Sequence, residues 1–198
     1  IYAGALSTGD GGKIEINSAN MTLADKSAVV ADVRASGQGG SIGIKLEEMN
    51  LDNSLIFGST TGSGKGSSIT VESGSISLLN GARIESATSG AGAAGSLEIE
   101  AVNISIAGEG EGFDPKDIEG GETGKMASSG LVTSTRSEGA AGTISVSGSV
   151  LDMMGGLVSS SSVGNGNAGE VTITVPEVRV LAGGEINTST SGDGQAGQ

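Results

Sequence analysis

The sequence predicts an all-β chain wound into a parallel β-helix, a three-faced solenoid of about 27 residues per coil and roughly seven coils. Three observations predict it. Alternating apolar pairs recur at Ile14/Ile16, Ile42/Ile44, Ile69/Val71, Leu97/Ile99, Ile144/Val146 and Val171/Ile173, with starts 28, 27, 28, 47 and 27 residues apart. A second pair follows each start at the same offset of seven. The chain carries 37 glycines in 198 residues and only three aromatic side chains, Tyr2, Phe57 and Phe113.

Spacing of two is the strand period, so each pair marks a strand with one face turned inward. The first strand of a coil carries the pairs above. The second carries Met21/Leu23, Met49/Leu51, Ile76/Leu78, Ile104/Ile106, Leu151/Met153 and Val178/Val180. A third segment, at offsets 13 and 15, reads Ser27/Val29, Leu55/Phe57, Ala82/Ile84, Leu157/Ser159 and Gly184/Ile186. It runs on into Ser and Thr, and a glycine-rich corner returns the chain to the next coil. Residues 1–11 read as the tail of an earlier coil.

A narrow lumen filled by stacked Ile, Val, Leu and Ala explains the shortage of aromatics. Outward positions are polar, among them Glu15, Thr70, Glu98, Ser145 and Thr172. Lys45 reads as lying between Glu72 and Glu100 in one column, where it could relieve like-charge repulsion, although a solvated face is the preferred reading of these charges. A formal net charge of −13 disfavours nucleic acid and anionic membranes, whose phosphates need basic partners. No apolar run approaches the ~18 residues of a membrane span. The absence of Cys suits an exported chain.

Three stretches carry a family resemblance: GGKIEINSANMTL, GSISLLNGARIESATSGAGAAGSLEIEA and GNGNAGEVTITVPEVRVLAGGEINTSTSGDGQAG. Their block pattern resembles the repeat regions of filamentous-haemagglutinin-like exoproteins, large bacterial adhesins exported by two-partner secretion, and the likeness covers nearly the whole chain. It implies a right-handed β-helix, an extracellular or cell-surface location, a role in adhesion or aggregation, and an outer-membrane transporter as export partner. The Asn-Pro motifs of that family's secretion domain are missing, so the chain reads as an interior or carboxy-proximal slice of a longer protein.

Several motifs invite a chemical reading. Gly90-x-Gly92-x-x-Gly95 matches a dinucleotide fingerprint, but it recurs at Gly164/Gly166/Gly169 and Gly192/Gly194/Gly197. Such a site needs one turn leading into a helix, and a strand pattern follows here. The expectation is that these glycines serve coil corners, through positive φ and close stacking. The regular Asp of calcium-binding nonapeptide repeats is absent. Asp25, Asp52 and Asp152 lie near second strands at different offsets, so no catalytic column is expected. Ser86, Thr88, Thr133, Thr135, Ser161, Thr188 and Thr190 read as inward hydroxyl ladders, with a flat ice-binding array as the lesser alternative.

The 47-residue interval leaves about 20 residues beyond one coil, placed at about 108–130 as an inserted acidic surface loop. It carries Glu109, Glu111, Asp114, Asp117, Glu119 and Glu122 as carboxylates that could hold calcium through oxygen ligands, though their spacing is not that of an EF-hand. Phe113, Asp114, Lys116 and Asp117 are the partner-binding candidates, because solenoid insertions often carry recognition. No catalytic or cofactor-binding residue is assigned, and the chain is not expected to be an enzyme. The functional expectation is a stiff adhesive stalk that meets a host or neighbouring cell surface, or a matrix glycan or protein. End-to-end self-association into filaments is the alternative, ahead of a polysaccharide-binding or polysaccharide-degrading β-helix.

Overall fold

The computed structural model describes residues 1–34, 36–111 and 126–197, with no helix among them. Parallel strands stack as a β-solenoid of about six turns, matching the parallel β-helix expected from the sequence. One sheet holds β1 (Lys13–Asn17), β2 (Asn20–Leu23), β4 (Ser41–Asp52), β6 (Ser68–Leu79), β8 (Leu97–Ala107), β12 (Ile144–Met154), β14 (Val171–Thr174) and β15 (Glu177–Leu181). The other holds β3 (Ala28–Val33), β5 (Leu55–Thr60), β7 (Arg83–Thr88), β11 (Gly130–Thr135), β13 (Leu157–Ser162) and β16 (Glu185–Thr190). Residues 1–12 add part of one further layer through bridges from Tyr2 to Val30 and from Ala5 to Val33.

The first two expected strands fuse in the middle turns. β4 and β6 run for 12 residues and β8 and β12 for 11, because pairing with the layers above and below continues through the bend. Register partners are 28 or 27 residues apart, as in Ile14 with Ile42 and Lys45 with Glu72, except across the insertion, where Leu97 pairs with Ile144. Inward residues therefore form ladders of like on like. One rail runs Ile14, Ile42, Ile69, Leu97, Ile144 and Val171. Another runs Met21, Met49, Ile76, Ile104, Leu151 and Val178. Their middle members are almost fully buried, and each such side chain stabilises the fold by about 2 kcal/mol.

The third rail corrects the sequence reading at two turns. The core residues are Val29, Ile56, Ile84, Leu131, Val158 and Ile186, by register. Leu55 and Phe57, and likewise Leu157 and Ser159, alternate with them on the other side of the sheet. The cause is the turn after the long strand. Three turns use two successive residues of positive φ: Asp25 and Lys26, Asn80 and Gly81, Ala182 and Gly183. Each is closed by a hydrogen bond to the carbonyl three residues back, as from the Ala82 N–H to Leu79 O at 3.0 Å. The other turns use a single such residue, Asn53, Gly108 or Gly155. One residue fewer shifts the following strand by one, which exchanges its faces. Ser161 moves for the same reason, and Ser160 and Ser162 take the inward places.

The glycine corner makes one backbone hydrogen bond per layer, as from the Gly66 N–H to Ala93 O at 2.7 Å, and the inner hydroxyls satisfy further backbone groups beside it. Ser86 Oγ donates to Ser67 O at 2.8 Å and accepts from the Gly95 N–H at 3.0 Å. Thr133 Oγ1 donates to Gly142 O at 2.7 Å, and Thr188 Oγ1 to Gly197 O at 2.9 Å. One layer reverses the arrangement: Gly58 stands where Ser86, Thr133, Ser160 and Thr188 carry a hydroxyl, with Ala31 in the layer before it, and Ser67 stands where they face glycine. Ser67 Oγ then donates to Ala31 O at 3.0 Å. A Cβ on Gly58 would lie 2.5 Å from that of Ser67, so only one of these two facing positions can carry a side chain.

The corner glycines form columns. Gly37, Gly64, Gly92, Gly139, Gly166 and Gly194 each sit over the carbonyl oxygen of the preceding column member, and an added Cβ would lie 1.9 to 2.1 Å from that oxygen. Their φ angles are not positive. Close stacking alone accounts for them, and the positive-φ part of the expectation does not hold there.

The insertion interrupts a single-residue turn. Gly108 has φ of 79°, and Ser129 N–H donates to Gly108 O at 3.0 Å, so the two residues meet across the intervening chain. Removing residues 109–128 would join Gly108 to Ser129 as Asn53 joins Ser54 and Gly155 joins Gly156. That deletion is expected to keep the β-sheet circular dichroism and cooperative unfolding of the parent. A chain that loses cooperative unfolding would show that the insertion is part of the scaffold.

Candidate functional site

In a solenoid whose lumen is filled, recognition falls to the outer surface, and four features stand out there. The first is the root of the inserted segment. β9 (Glu109–Glu111) and β10 (Met126–Ser128) pair antiparallel, Glu109 opposite Ser128 and Glu111 opposite Met126. Two contacts seat this hairpin on the layer below. A Cβ on Gly110 would lie 1.7 Å from Asn80 O, so only glycine fits. Ser129 Oγ accepts from the Gly81 N–H at 2.9 Å and donates to Ala107 O at 2.7 Å. The alternation Glu-Gly-Glu thus places backbone against the solenoid at Gly110.

Of the expected loop residues, Glu109 and Glu111 lie in this root. Ser128 Oγ donates to Glu109 Oε1 at 3.5 Å, a long contact. Phe113, Asp114, Lys116, Asp117, Glu119 and Glu122 lie outside the described residues. Among the described residues, no group of three or more His, Cys, Asp or Glu side chains is placed to hold a metal ion.

The second feature is the outward charge column Asn17, Lys45, Glu72, Glu100, Ser147 and Thr174. Lys45 Nζ reaches Glu72 Oε2 at 2.6 Å; the order along the column is Lys45, Glu72, Glu100, so Lys45 does not lie between the two carboxylates. The hydrogen bond to Glu72 and that carboxylate's charge, with a smaller contribution from Glu100, hold the Lys45 ammonium above its usual pKa of 10.5. Both side chains are largely exposed, so solvent screens the attraction. Arg179 bridges Glu177 and, at 3.6 Å, Asp152 on the neighbouring strand.

The third feature is an open groove of about 450 Å³ where the long strands bend, lined by Ser73, Glu100, Val102, Ser147, Ser149 and Thr174 among others. Among the described residues Glu100 is the one carboxylate in its lining, whereas acid–base cleavage of a glycosidic bond uses two. Asp52 and Asp152 stand in different columns, partnered by Leu79 and by Ser105 and Arg179. Asp25 lies in a turn.

Sequence reasoning missed the fourth feature, a file of outward apolar residues at the ends of the long strands. Leu79, Ala107, Met154 and Leu181 are successive register partners. Leu79 is 36%, Met154 54% and Leu181 52% exposed. The doublets Leu78-Leu79, Ile106-Ala107, Met153-Met154 and Val180-Leu181 break the polar–apolar alternation, and that break is the signal which could have revealed the file.

Fold and surface together define a parallel β-solenoid that displays a seated hairpin, a charge column and an apolar file. Comparison with protein-family models, with curated proteins and with solved structures finds no match.

The charge column yields a prediction. Because the folded-state pKa of Lys45 is raised, its contribution to stability is present below pH 10.5 and is lost as pH rises through the raised value. Lys45→Met should lower the thermal midpoint slightly at neutral pH and low salt. The difference should shrink as salt rises from about 0.01 M to about 1 M, since the screening length falls from roughly 30 Å to roughly 3 Å. Calorimetry across that series checks it; a salt-independent difference would point to lost packing instead.

Proposed function

We propose that this chain is a stiff stalk segment of a secreted or cell-surface bacterial fibre, adhesive in role and of the filamentous-haemagglutinin-like kind. The observation that carries the reading is the repetition of the same ladders in every turn. Aliphatic rails, inner hydroxyls and corner glycines all recur along the axis, so each layer is bonded to the next over most of its circumference. Six layers at ~4.8 Å each make a rod on the order of 30 Å long. Such a rod holds surface features at fixed intervals, and the hairpin rooted at Gly108 and Ser129 is the most prominent of them. The excess of acidic residues agrees with work outside the cell on partners other than nucleic acid or anionic lipid.

The second reading is end-to-end association, in which the repeated strands of one copy would pair with those of another, since open strand edges recruit further strands.

Beads coated with the chain, with its 109–128 deletion variant or with albumin test the adhesive reading under flow over epithelial cells, collagen and immobilised glycans. The chain should be retained above albumin on at least one surface, with retention reduced in the deletion variant. Retention equal to albumin on every surface would overturn adhesion. Small-angle scattering over a concentration series separates the second reading, since particles that lengthen with concentration are stacking. Depolymerisation of uronic-acid polymers by the chain would instead make it an enzyme.

A further inference from the structure

The sequence holds two Asn-Gly steps, Asn80-Gly81 and Asn165-Gly166, and the fold treats them in opposite ways. Asparagine followed by glycine is the step most open to spontaneous deamidation, because no Cβ hinders the approach of the next backbone nitrogen. That nitrogen attacks the asparagine Cγ, and ammonia leaves as a five-membered imide closes. Water then opens the ring at either carbonyl, giving aspartate or isoaspartate. The reaction needs a free N–H at the glycine and room for the side chain to turn back on the main chain.

Asn80 is held on every side that matters. The Gly81 N–H is buried and donates to Ser129 Oγ at 2.9 Å. The Asn80 side-chain amide donates to Asp52 Oδ1 at 2.8 Å. Gly110 of the hairpin packs directly on the Asn80 carbonyl. Asn165 stands exposed in a glycine corner rather than in a hydrogen-bonded turn. Its next N–H, at Gly166, reaches only a long contact with Ser137 O at 3.4 Å.

We infer that Asn165 is a site of spontaneous deamidation in the folded protein and that Asn80 is protected from it by Ser129, Asp52 and the hairpin root. The modification adds one negative charge at the corner. In its isoaspartate form it also adds a methylene to the main chain immediately before Gly166, which sits on Gly139 O with no room for a Cβ. The aged corner is therefore looser between the layers of Gly139 and Gly166.

Peptide mapping by mass spectrometry, with electron-transfer fragmentation to distinguish isoaspartate, tests this on the full chain aged at 37 °C and mildly alkaline pH. Three samples are compared: the folded chain, the chain in concentrated urea, and a folded Ser129→Ala variant whose circular dichroism matches the parent. In the folded chain Asn165 should react faster than Asn80 by a factor on the order of ten or more, as expected when a bonded N–H must first be released. In urea the two sites should react at similar rates. In Ser129→Ala the Asn80 rate should rise while the Asn165 rate stays as in the parent. Equal rates at the two sites in the folded chain would overturn the inference. So would an unreacted Asn165 in the folded chain while the urea sample reacts.

Discussion

Everything else in this molecule depends on how closely successive turns approach at the glycine corner. Strand pairing fixes the layer spacing at ~4.8 Å on the two sheets. The corner is not a strand, yet it must advance by the same step. Gly64 over Gly37 O, Gly92 over Gly64 O and Gly139 over Gly92 O leave no space for any side chain. Where backbone lies on backbone, the lumen behind it narrows, and large inner residues give way to Ser86, Thr133, Ser160 and Thr188. These hydroxyls bond to the corner's own N–H and C=O groups, which would otherwise be buried without partners. The exchange at Gly58 and Ser67 shows how tight the arrangement is: the hydroxyl can come from either side of the lumen, but not from both.

Much of this architecture was legible in the sequence because the first and second strands keep an invariant spacing. Ile14 to Val180 could be assigned inward or outward by counting in twos. The third strand was less legible, since its phase depends on whether the preceding turn spends one residue or two in the left-handed region. Asn53-Ser54 and Asn80-Gly81-Ala82 look alike in composition but differ by one residue, which exchanged Leu55 for Ile56 and Ser161 for Ser160. The corner glycines were recognised as structural, but for one reason too many. Only the contact with the layer beneath explains them.

The surface was less legible still. Lys45, Glu72 and Glu100 were visible as one column because register alone aligns them, but their order along it was misread. The root of the insertion was not, because its anchors are Gly110 on Asn80 and Ser129 on Gly81, contacts between residues far apart in the chain. The apolar file of Leu79, Ala107, Met154 and Leu181 emerges only when the ends of the long strands are stacked. These features share a cause: the scaffold places residues one turn apart into contact, so a function on the outside is written across layers.

The central claim is that corner glycines are required by the carbonyl beneath them. Comparing Gly139→Ala with Gly9→Ala by urea unfolding tests it most directly. A Cβ on Gly139 would lie 2.0 Å from Gly92 O, whereas nothing lies within 4 Å of a Cβ on Gly9. Gly139→Ala should destabilise the chain by about 1–3 kcal/mol, the usual cost of forcing a group into filled space, and Gly9→Ala should leave it unchanged. Equal stability of both variants and the parent would contradict the claim that close stacking at the corner holds the turns in place.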